Sequence, residues 1–304
     1  MTRFAPRALA LCVAALSLTG CSIKRMAINS LGNALSSGSS SAFARDDDPE
    51  LVRDAIPFAL KTIESLVEQS PRHLGLLTAA ASGFTQYGYA FVQQEADLTE
   101  AQDLARATAM RVRAKKLYLR AAEYGLRGLE IQLPGFREQV VGSPDALLAR
   151  ADRKHVPLLY WTAAAWGAAL AIDVTDSDLA IRQTAIEKMM RRAVVLDEGW
   201  DRGSLHEFLL SWEAAHASTG GSMAQARTHF ARATQLSQGH RVAPFVSLAE
   251  SVSINENNRK EFEALLKQAL AVDLNASPDD KLANVINQRR ARWLLSRIDD
   301  LFVN

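Results

Sequence analysis

Ser222 to Gly239 reads SMAQARTHFARATQLSQG, and this stretch decides the fold. Ala226, Phe230 and Ala233 share one helical face: a small residue, a bulky one four later, a small one three after that. Ser222 with Gln225 forms a capping box at the start, and Gly239 closes the helix. The same phase recurs three times. Phe262, Leu266 and Ala269 run into Val272-Asp273; Ile186, Met190 and Ala193 run into Leu196-Asp197; Ala59, Ile63 and Leu66 run into Pro71. One such match describes any amphipathic helix. Four in one chain predict stacked antiparallel helical hairpins.

The spacing is that of the second helix of a tetratricopeptide repeat, although the first-helix signature of Trp, Leu-Gly and Tyr is mostly missing. The expected fold is therefore all-α, stacked antiparallel helical hairpins in a degenerate tetratricopeptide-like superhelix. Outward from Ser222, helices are expected near 49–69, 71–95, 99–131, 144–153, 157–173, 177–197, 204–218, 222–237, 243–254, 258–273 and 278–302. Four of these starts pair a capping side chain with proline: Asp48-Pro49, Ser70-Pro71, Ser143-Pro144 and Ser277-Pro278. Thr99 with Gln102 reads as a further capping box, and the 99–131 helix is long enough to expect a break. Pro57 withholds an N–H from the carbonyl of Arg53 and predicts a kink. No period-two alternation calls for a sheet.

The N-terminus sets an address. Arg3 and Arg7 precede an apolar run from Leu9 to Leu18, which is too short to span a bilayer. Leu18-Thr19-Gly20-Cys21 then resembles a bacterial lipobox. The expected organisation is a signal peptide over 1–20, lipidated Cys21 with a Ser-rich tether over 21–47, and a helical domain over 48–304. Ser22 after the cysteine points to the outer membrane of a Gram-negative cell, facing the periplasm. With the leader removed, 284 of the 304 residues remain, and the loss of Arg3 and Arg7 takes 35 basic against 34 acidic residues to 33 against 34. A near-neutral body argues against nucleic acid as a partner. Cys12 goes with the leader, which leaves Cys21 for lipid and no cysteine for a disulfide or metal. No second long apolar run is expected, so lipid alone holds the protein to the membrane.

Small residues crowd two helices: Gly75, Ala79, Ser82 and Gly83 on one, Ala164, Gly167, Ala168 and Ala171 on the other. Close helix approach explains them, and a lumen for a guest explains them too. Aromatic residues lie beside those faces: Phe84, Tyr87, Tyr89 and Phe91, then Tyr160, Trp161 and Trp166, with Phe208 and Trp212. They serve as core, or as a channel whose polar tips orient a long apolar ligand. His206-Glu207 opens a zinc-protease motif that Leu210 breaks. The run Arg111, Arg113, Lys115, Lys116 and Arg120 is a solvated face or a dock for an acidic partner. No nucleophile elbow, phosphate loop or dinucleotide fingerprint is present, so no catalytic residue, metal or cofactor is expected.

Five blocks carry a family resemblance: DDDPELVRDAIPFALKTIESL at 46–66, GFTQYGYAFVQQEAD at 83–97, AKKLYLRAAEYGLRGLE at 114–130, VPLLYWTAAAWGAAL at 156–170 and GSLHEF at 203–208. They are similar to segments of the TRAP transporter TatT component family of periplasm-facing lipoproteins. The resemblance implies a non-enzymatic component with an apolar pore in each protomer and assembly as a homotrimer. It also implies association with the substrate-binding protein of a tripartite periplasmic transporter, and a small hydrophobic or amphiphilic organic acid as ligand. Within that frame the expected pore residues are Phe84, Tyr87, Tyr160, Trp161 and Trp166, with His206 as a polar contact. The rival expectation is a tetratricopeptide-like scaffold lipoprotein for outer-membrane or cell-wall assembly.

Overall fold

The computed structural model describes residues 42–302; the lipobox, Cys21 and most of the tether lie outside the described residues. Among the described residues the chain is all-α, with no strand. The helices are α1 (Pro49–Gln69), α2 (Leu74–Tyr87), α3 (Gln94–Thr99), α4 (Leu104–Gln132), α5 (Phe136–Gly142), α6 (Pro144–Ala149), α7 (Val156–Ile172) and α8 (Ser177–Ala180). They continue as α9 (Gln183–Asp197), α10 (Ser204–Ala215), α11 (Met223–Leu236), α12 (Ala243–Leu248), α13 (Arg259–Ala271), α14 (Lys281–Ser296) and α15 (Ile298–Leu301).

The packing order is circular. α1 packs on α2, α2 on α4, α4 on α7, α7 on α9 and α9 on α10; α10 then meets α11 and α12, α12 meets α13, and α13 meets α14. α14 returns to touch α1. Two large apolar cores result, since each helix buries one stripe against its neighbours. The first gathers buried residues from Leu60 to Trp212 and the second those from Leu210 to Phe302; a small cluster of Leu66, Val67, Leu76 and Leu77 lies under α1. The cores share α10 on one side. On the other side the join is polar. Leu282 N donates to Ala44 O at 3.0 Å, Arg45 meets Asp279 at 2.8 Å, Lys281 meets Asp47 at 2.6 Å, and Arg289 pairs with Glu50. Residues 44–47, counted with the tether from sequence, are thus fastened to the last long helix.

Several local expectations are corrected. Ser70-Pro71 does not start a helix; α2 starts at Leu74, with His73 Nδ1 accepting from Leu76 N at 3.1 Å. The expected break inside 99–131 falls instead at 100–103, where Asp103 caps α4 by accepting from Arg106 N at 2.9 Å, and α4 then runs 29 residues unbroken. Thr99 and Gln102 therefore do not form the cap. Ser143 makes no side-chain cap bond, and the Ser277 hydroxyl donates to Asp280 at 2.6 Å. α5 was not expected; Gly135, at φ +84°, turns the chain into it. Asp48 and Ser222 do cap, accepting from Leu51 N and Gln225 N. Pro57 sits inside α1 without ending it.

The segment Arg153–Ile172 is long and apolar enough, by length and composition, to cross a membrane, which the sequence reading did not expect. Its inner face is core: Leu159, Ala163, Ala165 and Ala169 are fully buried. Gly83 in α2 and Gly167 in α7 answer to close approach. A Cβ on Gly83 would stand 2.6 Å from Leu60 Cδ2, and one on Gly167 would stand 3.1 Å from the Phe208 ring.

Candidate functional site

The six residues singled out from sequence do not share one place. Phe84 is buried, stacked on Tyr124 at 6.1 Å and covered by Arg120. Tyr87 is buried beside Phe91 at 5.8 Å. Trp166 is buried under the Arg182 guanidinium. Only Tyr160 and Trp161 come together, ring to ring at 4.8 Å. His206 is spent inside the helix packing. Its Nδ1 lies 2.8 Å from His229 Nδ1 on α11, and its Nε2 lies 3.2 Å from Glu198 Oε1.

Trp200 completes the aromatic group and was missed in the sequence. Its ring centroid lies 4.7 Å from that of Tyr160 and 6.5 Å from that of Trp161. A tight turn places it. Asp201 and Arg202 both adopt left-handed backbone, at φ 44° and 51°, before Gly203 at φ 109° leads into α10. Non-glycine residues pay strain for that conformation, and such strain collects at functional sites. Side chains hold the turn: Ser204 Oγ donates to Asp201 Oδ2 at 2.5 Å and receives from Arg241 Nη1 at 2.6 Å.

Arg241 anchors a polar floor beside these rings. It reaches Asp280 at 3.0 Å, Glu207 at 3.1 Å and Asp201 at 3.2 Å. Burial alone would lower its pKa, but the three carboxylates overcome that and hold the guanidinium above its ordinary value. Burial pushes the Glu207 carboxyl up, against the pull of Arg241. It pushes the Tyr160 phenol up too, with Glu207 and Asp201 adding to the shift. Yet 18% of the Glu207 side chain is open to water, and Tyr160 is only half-buried.

Tyr89 shows the same pairing more sharply. It is 44% exposed, yet burial is the first cause raising its phenol, followed by the Glu250 carboxylate from the other half of the chain. Arg290 stands beside it, 13% exposed, bonded to Glu250 at 2.7 Å and Asp97 at 2.9 Å. The signal available in the sequence was the Tyr89 member of the aromatic run. Glu207 entered only as part of a zinc-protease motif that Leu210 breaks, and Arg241 and Arg290 belong to no motif.

The basic run on α4 is mostly engaged within the protein: Arg111 with Asp97 and Glu100, Lys115 with Asp173 and Asp176, Arg120 with Glu64. Two open concavities elsewhere, of about 340 Å³ beside Asp145 and Lys188 and about 180 Å³ beside Trp212 and His216, hold none of the six aromatic and histidine residues. No group of three or more His, Cys, Asp or Glu among the described residues is placed to hold a metal ion.

Comparison with known proteins follows the same outline. The chain is 33% identical over 303 residues to an uncharacterized protein of Treponema pallidum (strain Nichols), an alignment covering 94% of each. Residues 45–302, nearly the whole described body, match the family described as TRAP transporter T-component. The chain belongs to the TRAP transporter T-component family.

Proposed function

We propose that this protein is a non-enzymatic component of a TRAP-type periplasmic uptake system that shelters a hydrophobic or amphiphilic organic acid in the hollow ringed by its helices. The observation that supports this reading is the ring group of Tyr160, Trp161 and Trp200 beside the carboxylates gathered on Arg241. Three aromatic rings on one side of the Arg241 floor supply the apolar wall. Affinity comes from burying alkyl surface, at about 0.8 kcal/mol per CH₂, so a chain of eight to ten carbons outweighs the loss of its own freedom. A periplasmic substrate-binding protein docks on the body to hand over or accept that ligand. The family membership supports the transporter association. Acylation at Cys21 tethers the body to the outer membrane, and the body assembles as a homotrimer.

Titration calorimetry of the full chain with decanoate and with an aryl-alkanoate tests the ligand. Saturable binding that weakens about tenfold in Trp161→Ala and Trp200→Ala is expected. No saturable binding, or equal affinity in both variants, overturns the reading.

A further inference from the structure

The 29-residue α4 packs on α2 along one side and on α7 along another, and its third side faces out. Along one edge of that outward side run Arg106, Arg113, Arg120 and Arg127, each seven residues after the last. Seven residues are about two helical turns, so the four form a row about 32 Å long. Three of them lie on aromatic rings. The Arg113 guanidinium is 5.9 Å from the Tyr87 ring centre, that of Arg120 is 5.3 Å from Phe84, and that of Arg127 is 5.5 Å from Tyr124. Arg113 Nη2 donates to Tyr87 Oη at 3.5 Å, and Arg127 Nη2 donates to Pro71 O at 3.4 Å.

Other cations of the same helix are paired. Arg111 and Lys115 each hold two carboxylates. Among the described residues Arg106, Arg113, Lys116 and Arg127 hold none, and Arg120 has only Glu64 at 3.7 Å. The acids of α4 itself are spent elsewhere: Glu123 on Arg137 at 2.7 Å, and Glu130 on the backbone N–H groups of Gly135 and Arg137. A guanidinium laid on a ring has already given up side-chain freedom, yet it keeps N–H donors for a carboxylate.

At 3.6 residues per turn, Val112 and Leu119 fall on the same outward side, beyond Lys116. Both are exposed, at 50% and 41%. Lys115 closes the far edge with Asp173 and Asp176, and Val174 between those aspartates is exposed too. The outward side of α4 is thus an apolar strip with a cationic border. A bilayer is met by Trp or Phe among lysines that reach out freely. Here Val and Leu stand beside arginines fixed on rings, whose planar fork suits carboxylates.

We infer that the outward side of α4 docks a protein partner that presents a helix with apolar residues along its centre and carboxylates along one edge. Seven-residue spacing on both helices keeps the two charge rows in register along the contact. The inference rests on the docking step of the reading above and gives it a surface and a chemistry; ligand binding does not depend on it.

The probe is a fluorescein-labelled 28-residue helical peptide with leucine and glutamate at fixed places in each of four seven-residue repeats. A scrambled peptide of the same composition is its control. Anisotropy titration with the full chain is expected to show saturable binding of the repeat peptide, at least about tenfold tighter than the scrambled one. Replacing Arg113→Gln and Arg127→Gln together weakens it by about tenfold, and Leu119→Ser by about fivefold. Arg259→Gln, on α13 and paired with Asp299, leaves it unchanged. Unchanged thermal melting of each variant shows that the fold is intact. Binding to phosphatidylglycerol vesicles is expected to be equal for the arginine variant and the unmodified chain. No saturable peptide binding, equal binding of the scrambled peptide, indifference to the arginine pair, or vesicle binding that the arginine pair weakens overturns the docking surface. Decanoate calorimetry on the same variants is expected to be unchanged, so the ligand reading stands or falls separately.

Discussion

Arg290 Nη1 lies 2.9 Å from Asp97 Oδ2, across 193 residues of sequence. This contact and the Glu50–Arg289 pair join the end of the chain to its beginning. The join is ionic on both levels. Val52 and Ile286 are buried in the helices that meet there, yet they belong to none of the apolar clusters.

Asp97→Asn is therefore expected to destabilise the protein by about 1 kcal/mol, since Arg290 keeps Glu250 and Arg111 keeps Glu100 as partners. For a body of this size that lowers the melting temperature by about 2–4 °C. The gap between variant and unmodified protein narrows at 1 M salt, where the lost attraction is screened in both. Calorimetric melting at 50 mM and 1 M NaCl measures it. A gap independent of salt means the pair contributes packing and not charge.

Mild acid is expected to loosen the α9–α11 corner. Burial, and then the neighbouring His206, lower His229 from 6.5 to about 4; burial also lowers His206, while Glu198 opposes. The unfolded chain binds protons that the folded pair refuses. Stability is thus complete above pH 6.5 and declines as pH falls from 6.5 toward 4. Glu198, held at about 2 first by Arg232, adds its own loss only below about 4.5. Arg191 and Glu213 face the same corner. Urea unfolding at pH 7.5, 6 and 5 tests the sign, and His229→Gln should flatten the decline.

Gly125→Ala should cost about 1–3 kcal/mol by overpacking. The new Cβ would stand 2.1 Å from Thr162 Oγ1, and that hydroxyl is pinned to Leu158 O at 2.6 Å. Thr162→Ala removes that hydroxyl and leaves its own Cβ at 3.2 Å, a much milder contact. The double variant should therefore be more stable than the sum of the singles implies, by at least about 1 kcal/mol in a denaturant double-mutant cycle. Strict additivity would mean that α4 and α7 separate to admit the methyl.

Asp48→Ala removes the cap on Leu51 N at 3.0 Å and should cost about 1 kcal/mol. Ser143→Ala at the matching Ser-Pro start should cost nearly nothing, since Ser143 makes no cap bond. Thermal melting of the two variants side by side checks the contrast.

These contrasts mark how far the sequence could be read. Helical periodicity is a property of neighbouring residues, so the all-α class and most helices were legible, from Ala59 in α1 to Ala269 in α13. Capping is a choice among neighbours. Asp48 and Asp103 can each accept a backbone N–H, and sequence alone did not show that Asp103 would prevail over Thr99. The functional side was legible only in part. Tyr160 and Trp161 touch because they are adjacent in one helix, whereas Trp200 joins them through a left-handed turn that no periodicity announces. Arg241 and Arg290 gain their meaning from carboxylates up to 193 residues away.

The circular packing order also bears on how the molecule forms. Each large core is drawn from one continuous stretch of chain, the first ending near Trp212 and the second near Phe302. Contacts within a stretch cost little loop entropy, whereas the Asp97–Arg290 and Glu50–Arg289 pairs must enclose some two hundred residues. The amino-terminal half therefore holds all the partners of its own apolar core before α14 exists. Closure between the two halves is expected to come last, as a docking step, and refolding followed at that latch is expected to lag the rest of the molecule.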